Sequence, residues 1–341
     1  MQYTCLINEG GKTLIELNKI YNEDCLEGMK RIPDGSVDMI LCDLPYGTTA
    51  NKWDSIIDLK LLWGQYNRVI KEGGVIVLTA SQPFTTTLIN SNIGNFRYEW
   101  VWEKEQGTGF LTANKMPLKN HENVLIFYED LAKVKGRSKK LDDLRGYMKS
   151  ERDKTGLTNK GISQLLGNQM GGHYFTDGVQ FTLPTRSNYE KLQETGHFKV
   201  EYRELKKTLD TISKKMAVTY NPQMRNGFKP YKTKQGGPSE NYGNKMTDIT
   251  TESDGMRYPL TVLKVNRDQE KAHPTQKPVA LFDYLIRTYT NEGDTVLDNC
   301  MGSGTTAVAC MNTNRNYIGF ELDETYFNLA NERIEMHTKE E

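Results

Sequence analysis

Residues 43–47 read Asp-Leu-Pro-Tyr-Gly and follow directly on an apolar run, 37–42. A carboxylate at the end of a buried strand can accept hydrogen bonds from an amine and stabilise positive charge growing on its nitrogen. Tyr46, three residues on, can lay its ring against a flat unsaturated partner. Pro45 stiffens the turn and biases Leu44 toward an extended backbone. Taken alone, the same residues also suit a plain turn, with Asp43 as a cap and Tyr46 as core.

A second stretch lies far downstream, where residues 298–304 read Asp-Asn-Cys-Met-Gly-Ser-Gly. An apolar strand that runs into Gly302-x-Gly304 and then a helix suits a nucleotide-like cofactor. Glycines let backbone N–H groups approach closely, and a helix N-terminus favours a negative group. Glu321 lies nineteen residues past Gly302, at the end of the next apolar run, where it can accept hydrogen bonds from two ribose hydroxyls. Its plain alternative is a carboxylate opposing the dipole of the following helix. The glycine turn alone is a weak signal; turn, strand and acid together are a stronger one. Ala307 replaces the third glycine of a dinucleotide fingerprint and the turn comes late in the chain, which argues against a dehydrogenase.

The elements that must carry these residues follow from periodicity. Residues 14–21 alternate and read as a strand, 23–32 as a short helix ended by Pro33-Asp34-Gly35. Residues 37–42 are apolar apart from Asp38, as in a strand covered on both faces. A helix is predicted over 58–70, broken by Gly73-Gly74, then a buried strand over 75–80. Two more strands, 97–102 and 123–128, flank a Gly/Asn/Lys-rich segment, 103–122. Near the C-terminus the pattern predicts a helix over 279–289 and a strand over 295–298. A helix over 303–312, a strand over 317–321 and a final helix over 324–335 follow. Alternating strands and helices imply an open, doubly wound α/β sheet.

Between the two halves, residues 129–271 are polar and strewn with Gly, Asn and Lys. They read as an inserted domain, with a helix-turn-helix-like unit at about 140–200 and helices near 157–167 and 186–195. Ile162, Leu165 and Leu166 fall on one face of the first. Segment 221–256 reads as a long loop. The 341 residues balance 44 basic against 44 acidic side chains, yet residues 131–271 hold 27 Lys and Arg against 16 Asp and Glu. That leaves a net of +11 in the middle and −11 in the remainder, an asymmetry that suits a polyanionic partner or, more plainly, a solvated lysine-rich loop. Cys5, Cys25, Cys42, Cys300 and Cys310 are scattered, form no C-x-x-C, and indicate neither a metal site nor a disulfide framework. This fits a reducing cytoplasm. No apolar run reaches the roughly 18 residues of a membrane span, and no signal-peptide pattern is present.

In this order, Asp43-Leu44-Pro45-Tyr46 followed by Asp298 through Gly304 resembles the DNA amino-methyltransferases, and the order matches their permuted beta group. Other family-like pieces are Ser81-Gln82-Pro83-Phe84 after Gly73-Gly74, Pro117-Leu118-x-x-His121-Glu122, and His273-Pro274-Thr275-Gln276-Lys277-Pro278. The resemblance covers about 1–130 and 270–336. It implies a Rossmann-like doubly wound methyltransferase sheet with circularly permuted motif order. The catalytic part would be 1–128, an inserted target recognition domain 129–271, and the cofactor-binding part 272–341. It implies S-adenosylmethionine as cofactor, held by Asp24, Cys25, Lys277, Asp298, Gly302, Ser303, Gly304, Thr305 and Glu321. Asp24 and Cys25 would reach its adenine end and Lys277 its methionine end; alone, Asp24 is an ordinary helix cap.

The implied reaction moves a methyl group onto the exocyclic amine of a base in double-stranded DNA. That amine is a poor nucleophile because its lone pair is conjugated into the ring. Asp43 and, by resemblance, the main-chain carbonyl of Leu44 would accept from it, and Tyr46 would stack on the base once it leaves the duplex. The first residue being Asp favours adenine N6 over cytosine N4, where Ser is commoner. Leu44 stands for the commoner proline, and Cys300-Met301 for the usual Pro-Phe. The alternatives are an N4-cytosine enzyme, a DNA-binding regulator that keeps an inactive version of the fold, and methylation of RNA or of a protein glutamine. The implied setting is the cytoplasm, bacterial or phage-encoded, without a membrane. A homodimer and an associated restriction endonuclease are partners the resemblance allows.

Overall fold

The computed structural model describes residues 5–7, 13–47, 55–130, 138–178, 180–235, 249–268 and 276–340. In chain order these form β1 (Cys5–Ile7), β2 (Thr13–Glu16), β3 (Lys19–Asn22), α1 (Cys25–Met29), β4 (Val37–Asp43), α2 (Leu59–Val69), β5 (Ile70–Ala80), α3 (Phe84–Ser91), β6 (Phe96–Thr108), a 3₁₀ turn (Phe110–Thr112) and β7 (Lys119–Phe127). The middle of the chain adds α4 (Lys139–Lys154), α5 (Asn159–Leu166), α6 (Gly171–Tyr174), α7 (Arg186–Gln193), α8 (Tyr202–Met216), β8 (Tyr231–Gln235), β9 (Ile249–Ser253) and β10 (Val262–Lys264). It ends in α9 (Val279–Tyr289), β11 (Thr295–Asp298), α10 (Thr305–Asn312), β12 (Asn316–Glu321) and α11 (Glu324–Glu340).

Eight strands make one sheet in the order β10-β6-β7-β5-β4-β11-β12-β3. Only β7 runs against its neighbours; the remaining pairings are parallel. Alternate residues of the central strands feed two separate cores. Ile40, Cys42, Ile76 and Leu78 pack under α1, α2 and α3 through Met29, Leu62, Tyr66 and Leu88. Met39, Leu41, Val75 and Val77 pack under α9, α10 and α11 through Leu281, Phe282, Ala307 and Ala330. Burial on both faces explains why these strands read as unbroken apolar runs. Asp38 is the exception within β4. Its carboxylate accepts from Lys71 Nζ at 2.7 Å and from Thr295 N at 2.9 Å, so it ties β4 to the start of β11.

The sheet order matters most at its centre. β4, from the first part of the chain, lies beside β11, from the last. From this pair the chain winds outward in opposite directions, β4 to β5 on one side and β11 to β12 on the other. A parallel sheet leaves a crevice at such a switch point, beyond the carboxyl ends of the strands. Asp43 and Asp298 are the last residues of those two strands.

Several elements differ from their sequence reading. The strand expected over 14–21 is two, β2 and β3, because Asn18 turns with a positive φ of 58°. The helix expected over 23–32 is only α1, five residues long. Gly73-Gly74 lies inside β5, which starts directly after α2, and the β4 pairing shifts register there. The strands around 103–122 extend into that segment as a hairpin arm that leaves Phe110 and Leu111 exposed at its tip. Within 129–271, helices α4 to α8 share a core of their own, including Leu141, Met148, Ile162, Tyr189, Phe198 and Leu205. That is five helices around one centre, not a two-helix unit, and Leu165 faces outward while Ile162 and Leu166 are buried. Part of the expected loop 221–256 is the β8–β9 hairpin, and β10 joins the main sheet as its edge strand beside β6.

Candidate active site

Asp43 leaves β4 at the switch point, and its carboxylate is held from three directions. The Tyr46 hydroxyl donates to Oδ1 at 2.8 Å and lies 3.1 Å from Thr79 Oγ1, which donates to the same oxygen. Lys277 Nζ donates to Oδ2 at 2.5 Å. Leu44 is buried and Pro45 is half-buried. The Tyr46 ring stacks on Phe84, centroids 5.5 Å apart at 26° between planes, and the Lys277 ammonium lies 5.7 Å from its centroid. Burial, and after it the Asp43 charge, pushes the Tyr46 hydroxyl well above its usual range, so it remains a donor.

Lys277 is itself only 6 % exposed and has a second carboxylate nearby, Glu122 Oε2 at 3.4 Å. Glu122 Oε1 accepts from Lys104, whose ammonium lies over the Trp102 ring. Burial alone would lower Lys277; Asp43 and Glu122 outweigh it and hold the ammonium above its usual range. Burial would likewise raise Glu122, but Lys277 and Lys104 hold the carboxyl below its ordinary value. Lys104 is lowered by burial, which Glu122 only partly offsets. The result is an alternating chain of charge, Asp43, Lys277, Glu122 and Lys104, drawn from β4, the segment before α9, β7 and β6.

The second carboxylate of the crevice is Asp298. It is 2 % exposed, and burial raises it to about 6 against the hydrogen bonds it accepts from Thr306 Oγ1 and from Cys300 N at 3.0 Å. Gly302 and Gly304 both have left-handed φ, 54° and 79°. Gly304 starts α10 and packs so closely that a Cβ there would lie 3.1 Å from that of Ala330. Glu321 ends β12; its Oε2 accepts from Gly302 N at 2.7 Å and its Oε1 from Asp323 N at 2.9 Å. Burial raises its carboxyl as well. Ser303 Oγ donates to Gln276 Oε1 at 3.4 Å, and Thr305 Oγ1 to the Lys277 carbonyl at 3.3 Å. Asp24 caps α1, accepting from Leu26 N and Glu27 N, while Cys25 Sγ accepts from Asn299 Nδ2 at 3.5 Å.

The structure therefore gathers Asp298, Gly302, Ser303, Gly304, Thr305 and Glu321 in one turn, with Cys25 against its Asn299. Lys277 touches that turn through its carbonyl, but its ammonium reaches to Asp43. His273, Pro274 and Thr275, part of the motif before it, lie outside the described residues. Sequence reasoning missed Thr79 and Lys104 altogether. Glu122 lay inside a family-like stretch without a role assigned to it. Asn22, whose side-chain amide donates to the Glu321 carbonyl at 2.9 Å, was also missed.

The N6/N4 DNA methylase profile, described as DNA methylase, matches residues 37–332. The chain belongs to that family, whose methyl donor is S-adenosylmethionine. Type II methyltransferase M1.MboII of Moraxella bovis is 24% identical over 331 residues, which is 93% of this chain and 96% of that protein. Type II methyltransferase M.HpaI of Haemophilus parainfluenzae is 46% identical over 65 residues, 19% of this chain and 21% of its own length. Among solved structures, the PvuII DNA methyltransferase (cytosine-N4-specific) is similar over 94% of this chain and 90% of its own, with 12% identity and a TM-score of 0.48.

The residues of the glycine turn fit that cofactor. Two carboxylates, Asp298 and Glu321, end adjacent strands at the glycine turn, which suits a cationic sulfonium ligand with a ribose diol. Each oxygen of Glu321 uses one acceptor position on a backbone N–H and keeps a second for a hydroxyl. Among the described residues, no helix is long and apolar enough to cross a membrane, and no cluster of metal-ligating side chains is present.

Proposed function

We propose that this protein transfers a methyl group from S-adenosylmethionine to the N6 amine of adenine in double-stranded DNA. The observation that supports this most is the adjacency of Asp43 and Asp298 at the switch point. One strand end supplies an acceptor for an amine, and the neighbouring one belongs to the turn suited to the methyl donor. In this reading Glu321, Asp298, Gly302, Ser303, Gly304 and Thr305 hold the cofactor, with Asp24 and Cys25 toward its adenine end. The cofactor, when bound, supplies an electrophilic methyl group.

The chain's own residues do the rest. Asp43 and the Leu44 carbonyl accept hydrogen bonds from the target amine, draw its lone pair out of conjugation and stabilise the positive charge that develops on nitrogen. Tyr46 stacks on the base after it has left the duplex. Alignment of amine and methyl group supplies much of the remaining acceleration. No covalent bond between protein and base is needed. We assign 129–271 to target recognition, 1–128 to catalysis and 272–341 to cofactor binding. The cytoplasm is the compartment in which such an enzyme meets DNA.

Labelled methyl groups should pass to duplex DNA, and not to RNA or protein offered at equal mass. Glu321→Ala should weaken cofactor binding by about tenfold or more, the scale of a lost charge-assisted hydrogen bond. Isothermal calorimetry reads that directly. Label in RNA or protein but not in DNA would overturn the substrate reading, and unchanged affinity would remove Glu321 from the site.

A further inference from the structure

The ammonium of Lys277 occupies a particular place. It donates to Asp43 Oδ2 at 2.5 Å and lies 5.7 Å from the centre of the Tyr46 ring. A base stacked on Tyr46 with its amine on Asp43 would need that same place. Asp43 Oδ1 already accepts from Tyr46 and Thr79, so Oδ2 is the oxygen an incoming amine would meet. The ammonium resembles the reacting amine in what it offers: a nitrogen donor carrying positive charge, beside an aromatic face.

An ammonium in this crevice cannot simply be pushed into apolar surroundings. Lys277 is 6 % exposed, and taking the hydrogen-bonded partner from a buried charge is strongly unfavourable unless another replaces it. A second acceptor is at hand. Glu122 Oε2 is buried, makes no hydrogen bond among the described residues, and lies 3.4 Å from Lys277 Nζ, within ion-pair reach. Its other oxygen is fixed by Lys104, so the carboxylate is anchored with one oxygen open toward Lys277. A short swing of the Lys277 side chain exchanges one carboxylate for the other without leaving either the ammonium or Glu122 unpaired.

We propose that Lys277 is a stand-in for the target amine at Asp43, and that Glu122 is the positioning residue that takes the ammonium over when the base enters. The proposal rests on the reading of Asp43 as acceptor for an adenine amine. The exchange keeps the site's charge paired throughout and makes base entry a replacement of one hydrogen-bond donor by another. No bond is formed or broken and no proton changes owner; the ammonium moves with its three protons.

The test uses a duplex in which the methylated adenine, located by mapping modified bases in DNA from cells expressing the chain, is replaced by 8-vinyladenine. This base fluoresces when unstacked and keeps its 6-amino group. Base entry is read from fluorescence without added cofactor, alongside kcat with cofactor. In Glu122→Gln the ammonium has no second carboxylate, so entry amplitude and kcat should fall about tenfold or more, as one charge-assisted hydrogen bond implies. Cofactor affinity should not change. The double variant Glu122→Gln with Lys277→Met removes one charge of each sign, and its base entry should rise back above that of Glu122→Gln.

A merely structural role for Glu122 would make the double variant no better than the single one. That result, or a Glu122→Gln enzyme with the entry and turnover of the parent, overturns the proposal. Thermal melting checks that each variant folds. Should Glu122→Gln not fold, Lys277→Met alone decides: entry at or above the parent level supports the exchange, and lower entry contradicts it. A parent enzyme that neither extrudes nor methylates any adenine would instead refute the adenine reading.

Discussion

Asp43 and Asp298 end neighbouring strands, yet their surroundings give them different tasks. Asp43 faces donors from three residues, one of them a buried ammonium, and is an acceptor set in place. Asp298 has no cationic partner in the described structure, only the neutral donors of Thr306, Cys300 and Cys42, and burial raises it from the ordinary 3.8 to about 6. A carboxyl raised on folding stabilises the fold below its unfolded value and loses that contribution as the pH climbs through the folded one. The parent protein should therefore lose stability relative to Asp298→Asn between about pH 4 and pH 7, by on the order of 2–3 kcal/mol. Urea unfolding at a series of pH values measures the difference. A gap independent of pH would mean that Asp298 ionises normally in the fold.

At the scale of elements, the glycine turn has little conformational freedom. Gly304 combines a φ of 79° with a tight neighbour, Ala330, whose Cβ lies 3.1 Å from where a side chain would begin. Gly304→Ala should cost about 2 kcal/mol by adding backbone strain to overpacking. It should also weaken cofactor binding, because the start of α10 moves with it. Denaturant midpoints and calorimetry on the same sample read both, and loss of neither would contradict the role given to the turn. The turn was legible in the sequence because a short buried strand runs into Gly-x-Gly and a second buried strand follows at a helix's distance. The bounds of α9 and β11 agree with their periodicity residue for residue, and those of β4 to one residue. Asp43, Asp298 and Glu321 could be found because each follows directly on an apolar run, and Gly302 because it opens Gly-x-Gly just beyond one. Thr79, Glu122 and Lys104 could not be placed: they become neighbours only through the order of β4, β5, β7 and β6, which one-dimensional periodicity does not carry. β6 and β7 were cut short for a related reason, since their outer halves form a polar arm whose pairing is with each other. Three residues of β10 are too few for a pattern.

At the scale of the molecule, charge and topology divide the labour. The +11 segment, with its own helical core, lies between the two parts of the chain proposed for catalysis and cofactor binding, whose strands β4 and β11 pair at the centre of one sheet. Phosphate contacts from such a segment should give DNA affinity that falls linearly with salt on logarithmic axes, with a slope near −0.9 per phosphate neutralised. Sequence choice should come from a few side chains reaching base edges, with α5 and α7 as the proposed readers. Exchanging all of 129–271 with the corresponding segment of a relative of different target is unsuitable, because β10 belongs to the main sheet; the exchange should stop before Val262. Such a chimera should methylate the donor's target, as read by mapping modified bases. A folded, active chimera that keeps the original target would move recognition to the β6–β7 arm, whose tip exposes Phe110 and Leu111.

The central claim is that the switch-point crevice methylates an adenine amine with Asp43 as acceptor. Mass spectrometry of nucleosides from DNA of cells making the parent protein or Asp43→Ala tests it most directly. The parent should leave N6-methyladenine in the DNA. Asp43→Ala, expressed to the same level and still binding cofactor, should leave at least about a hundredfold less, the scale of removing one preorganised group from a transition state. N4-methylcytosine alone, or N6-methyladenine undiminished in Asp43→Ala, would contradict the account.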